Sequence, residues 1–504
     1  MNIYSLLARN ASKFPAEEAL VFREQRQTWE QLGKRVDKLA AAMARLGVRK
    51  GDRVALLLEN CAQFVEIHFA AARLGAIGVP LNYRLVGDEL AFILNNSETK
   101  MLFYASKYLK VLGAVKKDLP LLKFYLEVSS DGGQYEEFLL SGDQPPEVDV
   151  QGEDPNVILY TSGTTGRPKG AVLTHDNSLW TALNMVIDAR FEQTDRGIVI
   201  PPLYHSAALN CWMLPHVLVG AALVIENSFD PKALPQRLRE EHVTTIFLVP
   251  AMYSFLLQIR GLDNYDFSAI RIAGTGASIM PVELKQRVHR VFPEAGIIDV
   301  YGLTEAGPGV TILKSQDAFR KEGSVGKALT ALEVRLVNGQ GLDVPVGEVG
   351  EIIVRGPTVM REYYNLPEAT ADALRNGWLY TGDLARQDEE GYLYVVDRKK
   401  DMVISGGENV YPAEVEAVLY RHPKILEAAV FGIPDVKWGE RVWAVVVLKP
   451  GEQLTEDEVI QFTAGKLAGY KKPRRVEFTE ALPRNPSGKV LKTVLRSKYS
   501  GDEI

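Results

Sequence analysis

The sequence has 504 residues, of which 46% are hydrophobic and 24% charged, and its formal net charge is −6. These values indicate a soluble globular protein with two or three units, and the negative charge argues against general nucleic-acid binding. Cys61 and Cys211 lie far apart without a CxxC spacing, and the seven histidines include no pair at i, i+4 spacing. A disulfide framework, a zinc site and a histidine metal site are therefore not expected.

The start of the chain gives an expectation about location. Residues 1–10 lack the charged start and apolar run of a secretory signal, and no stretch approaches the length of a membrane span, which needs about 18 apolar residues. We therefore expect a cytoplasmic protein. Peripheral membrane contact and a homodimer stay open.

Predicted helices and apolar strands alternate from the start of the chain. Thr28 followed by Gln31, with apolar residues at helical spacing up to Gly47, predicts a capped amphipathic helix. The next predicted elements are a strand at 54–58, a helix at 61–74 and strands at 76–79, 101–104, 157–160, 198–200, 222–226, 245–249 and 297–300. Because these strands are uniformly apolar, they predict mostly parallel sheets with helices on both faces.

The pattern changes near residue 331, where shorter strands at 334–337, 350–354 and 392–396 predict a small β-rich subdomain over about 331–398. The charged run 398–401 is poor core material, so we place a domain boundary there. Beyond it we expect a helix from Pro412, strands at 426–432, 442–448 and 475–478, and a helix capped by Thr455 with Glu458. The predicted fold class is α/β, with a large N-terminal domain (1–398) and a small α+β C-terminal domain (399–504).

The run YTSGTTGRPKG, residues 160–170, combines glycines, hydroxyls and a lysine directly after an apolar strand. Glycine backbone N–H groups, hydroxyls and a lysine ammonium suit a polyphosphate with its Mg²⁺. The run is not a Walker A loop, because Lys169 is followed by Gly170 rather than by Ser or Thr. The candidate nucleotide-binding residues here are Thr161, Ser162, Gly163, Thr164, Thr165, Gly166 and Lys169.

Further polar or glycine-rich blocks follow other predicted strands, where ligands of open α/β sheets gather. They are PLYH (202–205), AGTGAS (273–278) and DVYGLTE (299–305). The last offers a tyrosine for base stacking, a threonine for a phosphate and a carboxylate for Mg²⁺. Taken singly, His205 would be interpreted as a structural or exposed histidine and Glu305 as a solvated acid. Because both lie in these blocks, we interpret them as candidate site residues.

Together these blocks resemble those of the adenylate-forming enzymes, which include acyl-CoA synthetases, peptide-synthetase adenylation domains and beetle luciferases. The resemblance runs from Thr28 to Lys492 and is closest to bacterial fatty-acid–CoA ligases. It implies that ATP, Mg²⁺ and coenzyme A are used, with Thr161 and Glu305 as the metal residues. It also implies four catalytic residues, which are His205, Thr304, Glu305 and Lys489. Lys489 lies in the block PRNPSGK (483–489).

The resemblance also implies the remaining site residues. Those for the nucleotide are Gly276, Ala277, Ser278, Asp299, Val300, Tyr301, Gly302, Thr304, Asp383, Arg398 and Lys400. Those of the acyl pocket are His205, Leu209, Gly274 and Val300, and those for coenzyme A are Gly406 and Gly407. Lys400 matches the hinge about which a mobile C-terminal domain would bring Lys489 and the glycines to the site in turn.

The expected reaction joins a carboxylic acid to coenzyme A through an acyl-AMP. The resemblance implies a fatty acid as the substrate. Because Val300 stands where many long-chain enzymes have glycine, its extra bulk would shorten the acyl channel, so a medium-chain acid is expected as much as a long-chain one. Aryl, succinylbenzoyl and malonyl acids stay open. Residues 204–206 lack the aspartate that binds an amino-acid substrate's amine, and the chain ends at Ile504, so we expect a free-standing CoA ligase. A catalytically silent nucleotide-binding sensor or scaffold is the alternative from another class.

Overall fold

The structure is a computed structural model that describes residues 1–129, 133–161, 167–406, 408–435, 437–484 and 490–500. Tertiary contacts divide the chain into two compact units. Unit 1 is Met1–Val334 with Ile353–Tyr380, and unit 2 is Arg335–Ile352 with Thr381–Ile504. The domain boundary predicted from the charged run 398–401 stays a prediction.

Two mostly parallel sheets organise unit 1, as predicted. The first sheet contains β1 (Glu18–Phe22), β2 (Gln25–Thr28), β9 (Arg196–Val199), β10 (Ala222–Ile225), β11 (Thr245–Phe247), β12 (Ile272–Gly276), β13 (Gly296–Gly302), β14 (Gly309–Leu313) and β15 (Lys327–Ala328). Its strand order is β15-β14-β13-β12-β11-β9-β10-β1-β2, antiparallel only toward the two ends.

The second sheet of unit 1 contains β3 (Arg53–Leu57), β4 (Ile77–Pro80), β5 (Thr99–Ala105), β6 (Phe124–Val128), β7 (Pro155–Thr161), β8 (Lys169–Thr174) and β18 (Glu362–Tyr363). Its order is β18-β8-β7-β4-β3-β5-β6. The neighbouring strands in the run β7-β4-β3-β5-β6 are parallel. The pairs β7–β8 and β8–β18 are antiparallel.

Helices pack on these sheets through apolar side chains. The helices of unit 1 are α1 (Tyr4–Lys13), α2 (Trp29–Arg45), α3 (Ala62–Arg73), α4 (Gly87–Asn96), α5 (Leu109–Val115), α6 (Gly133–Leu140), α7 (His175–Ala189), α8 (Leu214–Val219), α9 (Leu234–Glu240), α10 (Pro250–Leu256), α11 (Val282–Val291) and α12 (Pro367–Ala373). Buried side chains of α9, α10 and α11 pack against the first sheet, and those of α4 and α5 against the second. A π-helix, Ala207–Met213, follows the PLYH block.

A five-stranded sheet forms the β-rich region. It contains β16 (Glu333–Val337), β17 (Val349–Arg355), β19 (Leu374–Arg375), β20 (Trp378–Gln387) and β21 (Leu393–Arg398), in the order β16-β17-β20-β19 with β21 also beside β20.

The C-terminal sheet of unit 2 contains β22 (Val403–Ser405), β23 (Glu408–Val410), β24 (Ile425–Asp435), β25 (Gly439–Leu448) and β26 (Arg475–Phe478). Alternate residues of β25 face opposite sides. Ala444 and Val446 join a core with α13 (Pro412–Tyr420) and α14 (Glu456–Thr463), whereas Trp443 and Val445 join one with α15 (Lys492–Tyr499). Both faces of this small sheet are therefore covered.

The predicted helix caps are confirmed. The Thr28 hydroxyl accepts the Gln31 N–H at 3.3 Å, and the Gln31 side chain accepts the Thr28 N–H at 2.9 Å. Thr455 and Glu458 form the same reciprocal pair, at 3.3 and 2.7 Å. Each pair satisfies two backbone groups that a helix end would leave open. Among the helices of the described residues, none has the length and apolar character that a bilayer span requires.

Buried neutral histidines are a feature of the unit 1 core. His216 is fully buried, and burial lowers its pKa to about 4. One ring nitrogen, Nδ1, lies 2.6 Å from the carbonyl oxygen of Trp212, which can only accept, so Nδ1 carries the proton. Nε2 lies 2.8 Å from the Thr245 hydroxyl, which therefore donates to it. A Cβ at Gly197 would lie 2.4 Å from Nε2, so this strand position needs glycine.

We expect the free energy of unfolding to fall as the pH drops from about 6.5 to about 4. In this range the His216 side chain is protonated in the unfolded chain but stays neutral in the folded protein. The stabilisation is complete above pH 6.5 and is lost on acidification, by roughly 2–3 kcal/mol for this histidine. Urea unfolding at pH 7 and pH 4.5 measures the loss. His216→Gln should reduce the difference between the two pH values, and exposed His289→Gln should not. Equal differences in all three proteins would contradict this role of His216.

Candidate active site

The two predicted metal residues come together in unit 1. β7 ends at Thr161 and β8 begins at Lys169, and these two residues are partners across the antiparallel pair. Ser162, Gly163, Thr164, Thr165 and Gly166 lie outside the described residues. The Thr161 hydroxyl lies 3.4 Å from Glu305 Oε1 although 144 positions separate the two residues. The end of β7 thus faces the carboxylate of the DVYGLTE block.

Glu305 is held from a second side by a residue that we did not predict. The Tyr363 hydroxyl donates to Glu305 Oε1 at 2.8 Å, and the Met360 N–H donates to the Glu305 carbonyl at 2.8 Å. Burial and the Glu305 charge raise the pKa of Tyr363 far above its usual value, so the hydroxyl stays protonated. The Lys169 ammonium lies 5.1 Å from the centre of the Tyr363 ring. Tyr363 therefore links the lysine and the carboxylate of the site.

The oxygen atoms at this point fit a magnesium ion that arrives with a nucleotide. A hydroxyl and a carboxylate are hard oxygen donors, and Mg²⁺ takes one or two such protein ligands and completes its shell with phosphate and water. Within the part of the chain that the structure describes, no group of three or more His, Cys, Asp or Glu residues could hold a metal alone. Thr161 and Glu305 would hold the ion, which would neutralise phosphate charge.

The predicted nucleotide wall lies on two neighbouring parallel strands. Gly276 at the end of β12 is the partner of Val300 on β13. A Cβ at Gly276 would lie 2.6 Å from the Val300 carbonyl oxygen, and one at Gly302 would lie 1.7 Å from that of Pro308. Ala277 adopts a left-handed conformation with φ of 65°, which is rare for a residue with a side chain. The structure thus brings residues 274–278 and 299–302 together at one sheet edge, and only glycine fits at Gly276 and Gly302.

Asp299 has a buried environment. It is 7% exposed and stands opposite Thr275, and the charge of buried Lys285 acts on it. Burial raises the pKa of Asp299 to about 6, and the Lys285 charge offsets part of that rise. The side chain belongs to the interior behind the wall, and its part in nucleotide binding stays a prediction.

Thr304 and His205 come together through Ser206, whose hydroxyl lies 3.0 Å from that of Thr304. The His205 ring packs against Tyr204, with the ring centres 4.3 Å apart, and Tyr83 meets Tyr204 edge-on at 5.3 Å. Burial, with a smaller effect of Arg84, lowers the pKa of His205 to about 4. The imidazole is therefore neutral at pH 7 and can donate one hydrogen bond without adding charge.

The residues predicted for the acyl pocket lie around the π-helix, which also contains buried Leu209. A Cβ at Gly274 would lie 3.1 Å from the Trp212 ring and 3.3 Å from Phe247. A Cβ at Gly309 would lie 3.3 Å from Cys211 Sγ and 3.7 Å from Val300 Cγ1. The Trp212 indole N–H donates to the Ile198 carbonyl at 2.9 Å, so its polar atom is satisfied. Gly274 is thus backed by uncharged side chains, and Val300 flanks Gly309 together with Cys211.

Unit 2 contains the predicted ribose residues. The Asp383 carboxylate lies 3.1 Å from Arg398 Nε, and the two residues are partners on β20 and β21. Burial lowers the pKa of Lys400 below its usual value. An ion pair not predicted from the sequence joins Lys399 to Glu351 at 2.8 Å.

The predicted coenzyme A segment of unit 2 contains a tightly packed glycine. Gly406 has φ of 64°, and a Cβ there would lie 3.0 Å from the Trp438 ring. Its N–H donates to the Trp438 carbonyl at 2.7 Å. Glycine is therefore required at this turn. Gly407 and Lys489 lie outside the described residues, and their roles stay predictions.

Comparison with known proteins places these features in one class, the enzymes that activate acids with ATP. The model of the family "AMP-binding enzyme" matches residues 7–364, and that of "AMP-binding enzyme C-terminal domain" matches residues 414–489. Feruloyl-CoA synthase of Amycolatopsis sp is 40% identical over 94% of both chains. Long-chain-fatty-acid–CoA ligase FadD13 of Mycobacterium tuberculosis is 38% identical over 99% of both, and indoleacetate–CoA ligase of Aromatoleum aromaticum is 38% identical over 98% of both.

The chain is also similar to solved structures of CoA synthetases. A Mycobacterium tuberculosis fatty acyl CoA synthetase has a TM-score of 0.81 and 37% identity, covering 99% of this chain and 98% of its own. The Bacillus subtilis o-succinylbenzoate CoA synthetase with ATP and magnesium has a TM-score of 0.87 and 32% identity, covering 97% and 98%. The chain belongs to the AMP-binding enzyme family, and it is an AMP-forming acid–thiol ligase. The predicted family and fold class are confirmed.

Proposed function

We propose that this enzyme converts a medium- or long-chain fatty acid into its CoA thioester, with ATP, Mg²⁺ and coenzyme A. The observation that carries the choice of acid is the set of uncharged side chains next to the predicted acyl-pocket residues: Trp212 and Phe247 lie behind Gly274, and Cys211 lies beside Gly309 together with Val300. Apolar side chains favour an aliphatic tail through burial of its methylene groups, worth about 0.8 kcal/mol each. FadD13, named as a long-chain-fatty-acid–CoA ligase, supports this proposal. A cytoplasmic location, where ATP and coenzyme A are available, is part of it.

In the first step, a carboxylate oxygen of the acid attacks the α-phosphorus of ATP, and the bond to pyrophosphate breaks. The step needs positioning and charge stabilisation rather than covalent help from side chains. Neutral His205 lies beside the acid without adding charge, and the Thr304 hydroxyl bonds the α-phosphate. Thr161 and Glu305 would hold the Mg²⁺ that accompanies the nucleotide, which would supply positive charge there. Lys489 bridges the carboxylate and the α-phosphate. The products are acyl-AMP and pyrophosphate.

In the second step, the thiolate of coenzyme A attacks the acyl carbonyl, and AMP leaves with the electron pair of the broken C–O bond. Pyrophosphate and the thiol cannot share one approach to the adenylate, so we propose that the C-terminal domain rotates about Lys400 between the steps. Gly406 and Gly407 then line the path of the pantetheine arm, because residues without side chains leave room for it. Asp383 and Arg398 hold the ribose.

Lys400→Pro is expected to spare adenylation and to lower thioester formation by at least 10-fold, because proline fixes φ where the backbone must turn. Pyrophosphate exchange reports the first step, and thiolysis of supplied acyl-AMP reports the second. Lys399→Pro would break the pair with Glu351, so Lys400→Ala is the control. It removes the side chain that is predicted to contact the nucleotide but leaves the backbone free to turn, so it should lower thiolysis no more than adenylation. Unharmed thiolysis in Lys400→Pro would contradict the hinge role.

An aryl acid is the second candidate. The relatives named for feruloyl and indoleacetate substrates support this alternative, and the side chains behind Gly274 are the aromatic rings of Trp212 and Phe247.

Val300 is expected to limit the length of the acid. Val300→Gly should shift the best substrate toward longer acids by several carbons, and Val300→Leu should shift it toward shorter ones, each with a change in kcat/KM of about 10-fold at the extremes. Thioester formation with a series of saturated acids measures the shift. An unchanged order of substrates in both variants would show that Val300 does not line the pocket.

A carboxylic-acid panel tests the proposed substrate class. Short to long aliphatic, aryl and dicarboxylic acids are each incubated with ATP, Mg²⁺ and coenzyme A, and the thioester is identified by mass. Highest kcat/KM with a medium or long fatty acid is the expected result. A clear preference for an aryl or dicarboxylic acid would overturn the fatty-acid proposal. Nucleotide binding without response to any acid would favour the sensor or scaffold.

A further inference from the structure

A single buried side chain, Asn60, holds the loop that leads to His205. Asn60 lies between β3 and α3 and is 2% exposed. Its amide nitrogen donates to the carbonyl oxygens of Ile200 and Pro201, at 3.3 and 3.1 Å. Its amide oxygen accepts the Leu203 N–H at 2.7 Å. Both N–H groups and the oxygen of this amide are therefore used by one loop.

The loop depends on this amide because of its own sequence. β9 ends at Val199, so Ile200 lies beyond the strand, and the next two residues are Pro201 and Pro202. Prolines have no N–H, so the first backbone donor beyond Ile200 is that of Leu203. Buried backbone polar groups need partners. Asn60 supplies both donors and the acceptor that these residues cannot supply for one another.

The fixed loop leads directly into the backbone of His205. The His205 N–H donates to the Pro202 carbonyl at 3.0 Å, and the His205 carbonyl accepts the Leu209 N–H at 3.1 Å. The backbone of Asn60 is also fixed, because its carbonyl oxygen accepts a hydrogen bond from the Asn227 side-chain amide at 3.0 Å. Asn227 follows β10, so these contacts join the ends of β3, β9 and β10 at the loop that leads to His205.

We propose that Asn60 is a positioning residue, which holds residues 200–203 so that the His205 imidazole meets the carboxylate of the acid. The inference rests on the proposed function, because it assumes that His205 lies beside that carboxylate. Displacement of a reacting group by about 1 Å can cost about 10²-fold in rate. Asn60 itself touches the loop and not the substrate.

Asn60→Asp tests the proposal with almost no change in shape. The aspartate can still accept from Leu203, but it turns an oxygen toward two carbonyl oxygens that need donors. We expect kcat/KM for the acid to fall about 10²-fold with the KM for ATP unchanged. Asn10→Asp is the matched control, because Asn10 is 1% exposed and its amide donates to the Val217 carbonyl at 2.6 Å, away from this loop. It should keep the catalytic constants.

A double-mutant cycle separates positioning from general destabilisation. In a His205→Ala background, Asn60→Asp should cost less than about 3-fold, because the group that it positions is already gone. A full 10²-fold loss in that background would overturn the proposal. Asn227→Ala, which removes only the support behind Asn60, gives a milder version of the same cycle if Asn60→Asp does not fold.

Hydrogen exchange provides a readout that does not depend on activity. Peptides that contain residues 203–206 should exchange at least 10-fold faster in Asn60→Asp than in the wild-type protein, and Asn10→Asp should leave them unchanged. Unchanged exchange in Asn60→Asp would overturn the proposal. If the wild-type protein makes no adenylate from any acid, the proposed function fails, while the exchange result still decides whether Asn60 holds the loop.

Discussion

Replacement of Glu305 by glutamine is expected to lower the rate of adenylate formation by about 10²- to 10³-fold, the cost of removing one well-placed charge from a site of this kind. Glutamine keeps the size of the side chain and can still accept a hydrogen bond from Tyr363. It removes the negative charge that, with the Thr161 hydroxyl at 3.4 Å, would hold Mg²⁺. The loss should therefore come with a higher Mg²⁺ requirement.

Acid-dependent pyrophosphate exchange over a range of Mg²⁺ concentrations measures both effects. Tyr363→Phe is the matched control, because it removes the hydroxyl that donates to Glu305 at 2.8 Å and leaves the carboxylate charge in place. It should cost about 10-fold, near the lower end of what one hydrogen bond to a charged group contributes, and should leave the Mg²⁺ requirement unchanged. Equal losses in the two variants, or an unchanged Mg²⁺ requirement in Glu305→Gln, would show that Glu305 does not hold the metal.

Lys489→Ala should abolish most adenylate formation, by about 10²- to 10³-fold, and leave thiolysis of supplied acyl-AMP largely intact. The lysine charge is needed while negative charge builds up between the carboxylate and the α-phosphate. It is not needed once the adenylate exists. The prediction rests on the block PRNPSGK and on membership of the AMP-binding enzyme family.

Pyrophosphate exchange and thiolysis, measured on the same preparation, separate the two steps of Lys489→Ala. Lys492→Ala is the control from the same segment, because the Lys492 ammonium pairs with Glu416 at 2.8 Å and should affect stability more than chemistry. Parallel losses in both steps of Lys489→Ala would refute its assignment to adenylation.

The sequence was most informative where structure is decided locally. The caps at Thr28 and Thr455 follow from residues three positions apart, and both are confirmed. The uniformly apolar strands predicted the parallel sheets, because such strands are buried on both faces. Strands at the sheet ends, such as β14 and β8, turned out antiparallel. Apolar composition does not distinguish the direction of a neighbour, so this detail lay beyond pattern analysis.

The sequence motifs predicted which residues form the site, but they did not predict the contacts that hold those residues in place. Thr161 and Glu305 were both predicted, yet Tyr363, 58 positions beyond Glu305, carries no motif of its own. Asn60 reaches a loop about 140 positions away, and no spacing signals that contact. The paired prolines at 201 and 202 were the one available sign, since they remove backbone donors and require a partner from elsewhere.

The most direct measurement is AMP release by the purified protein incubated with ATP, Mg²⁺, coenzyme A and a broad set of carboxylic acids. We expect AMP only when a suitable acid is present, in a one-to-one ratio with the CoA thioester. No AMP with any acid, or AMP released at the same rate without acid, would contradict acid activation as the function of this protein.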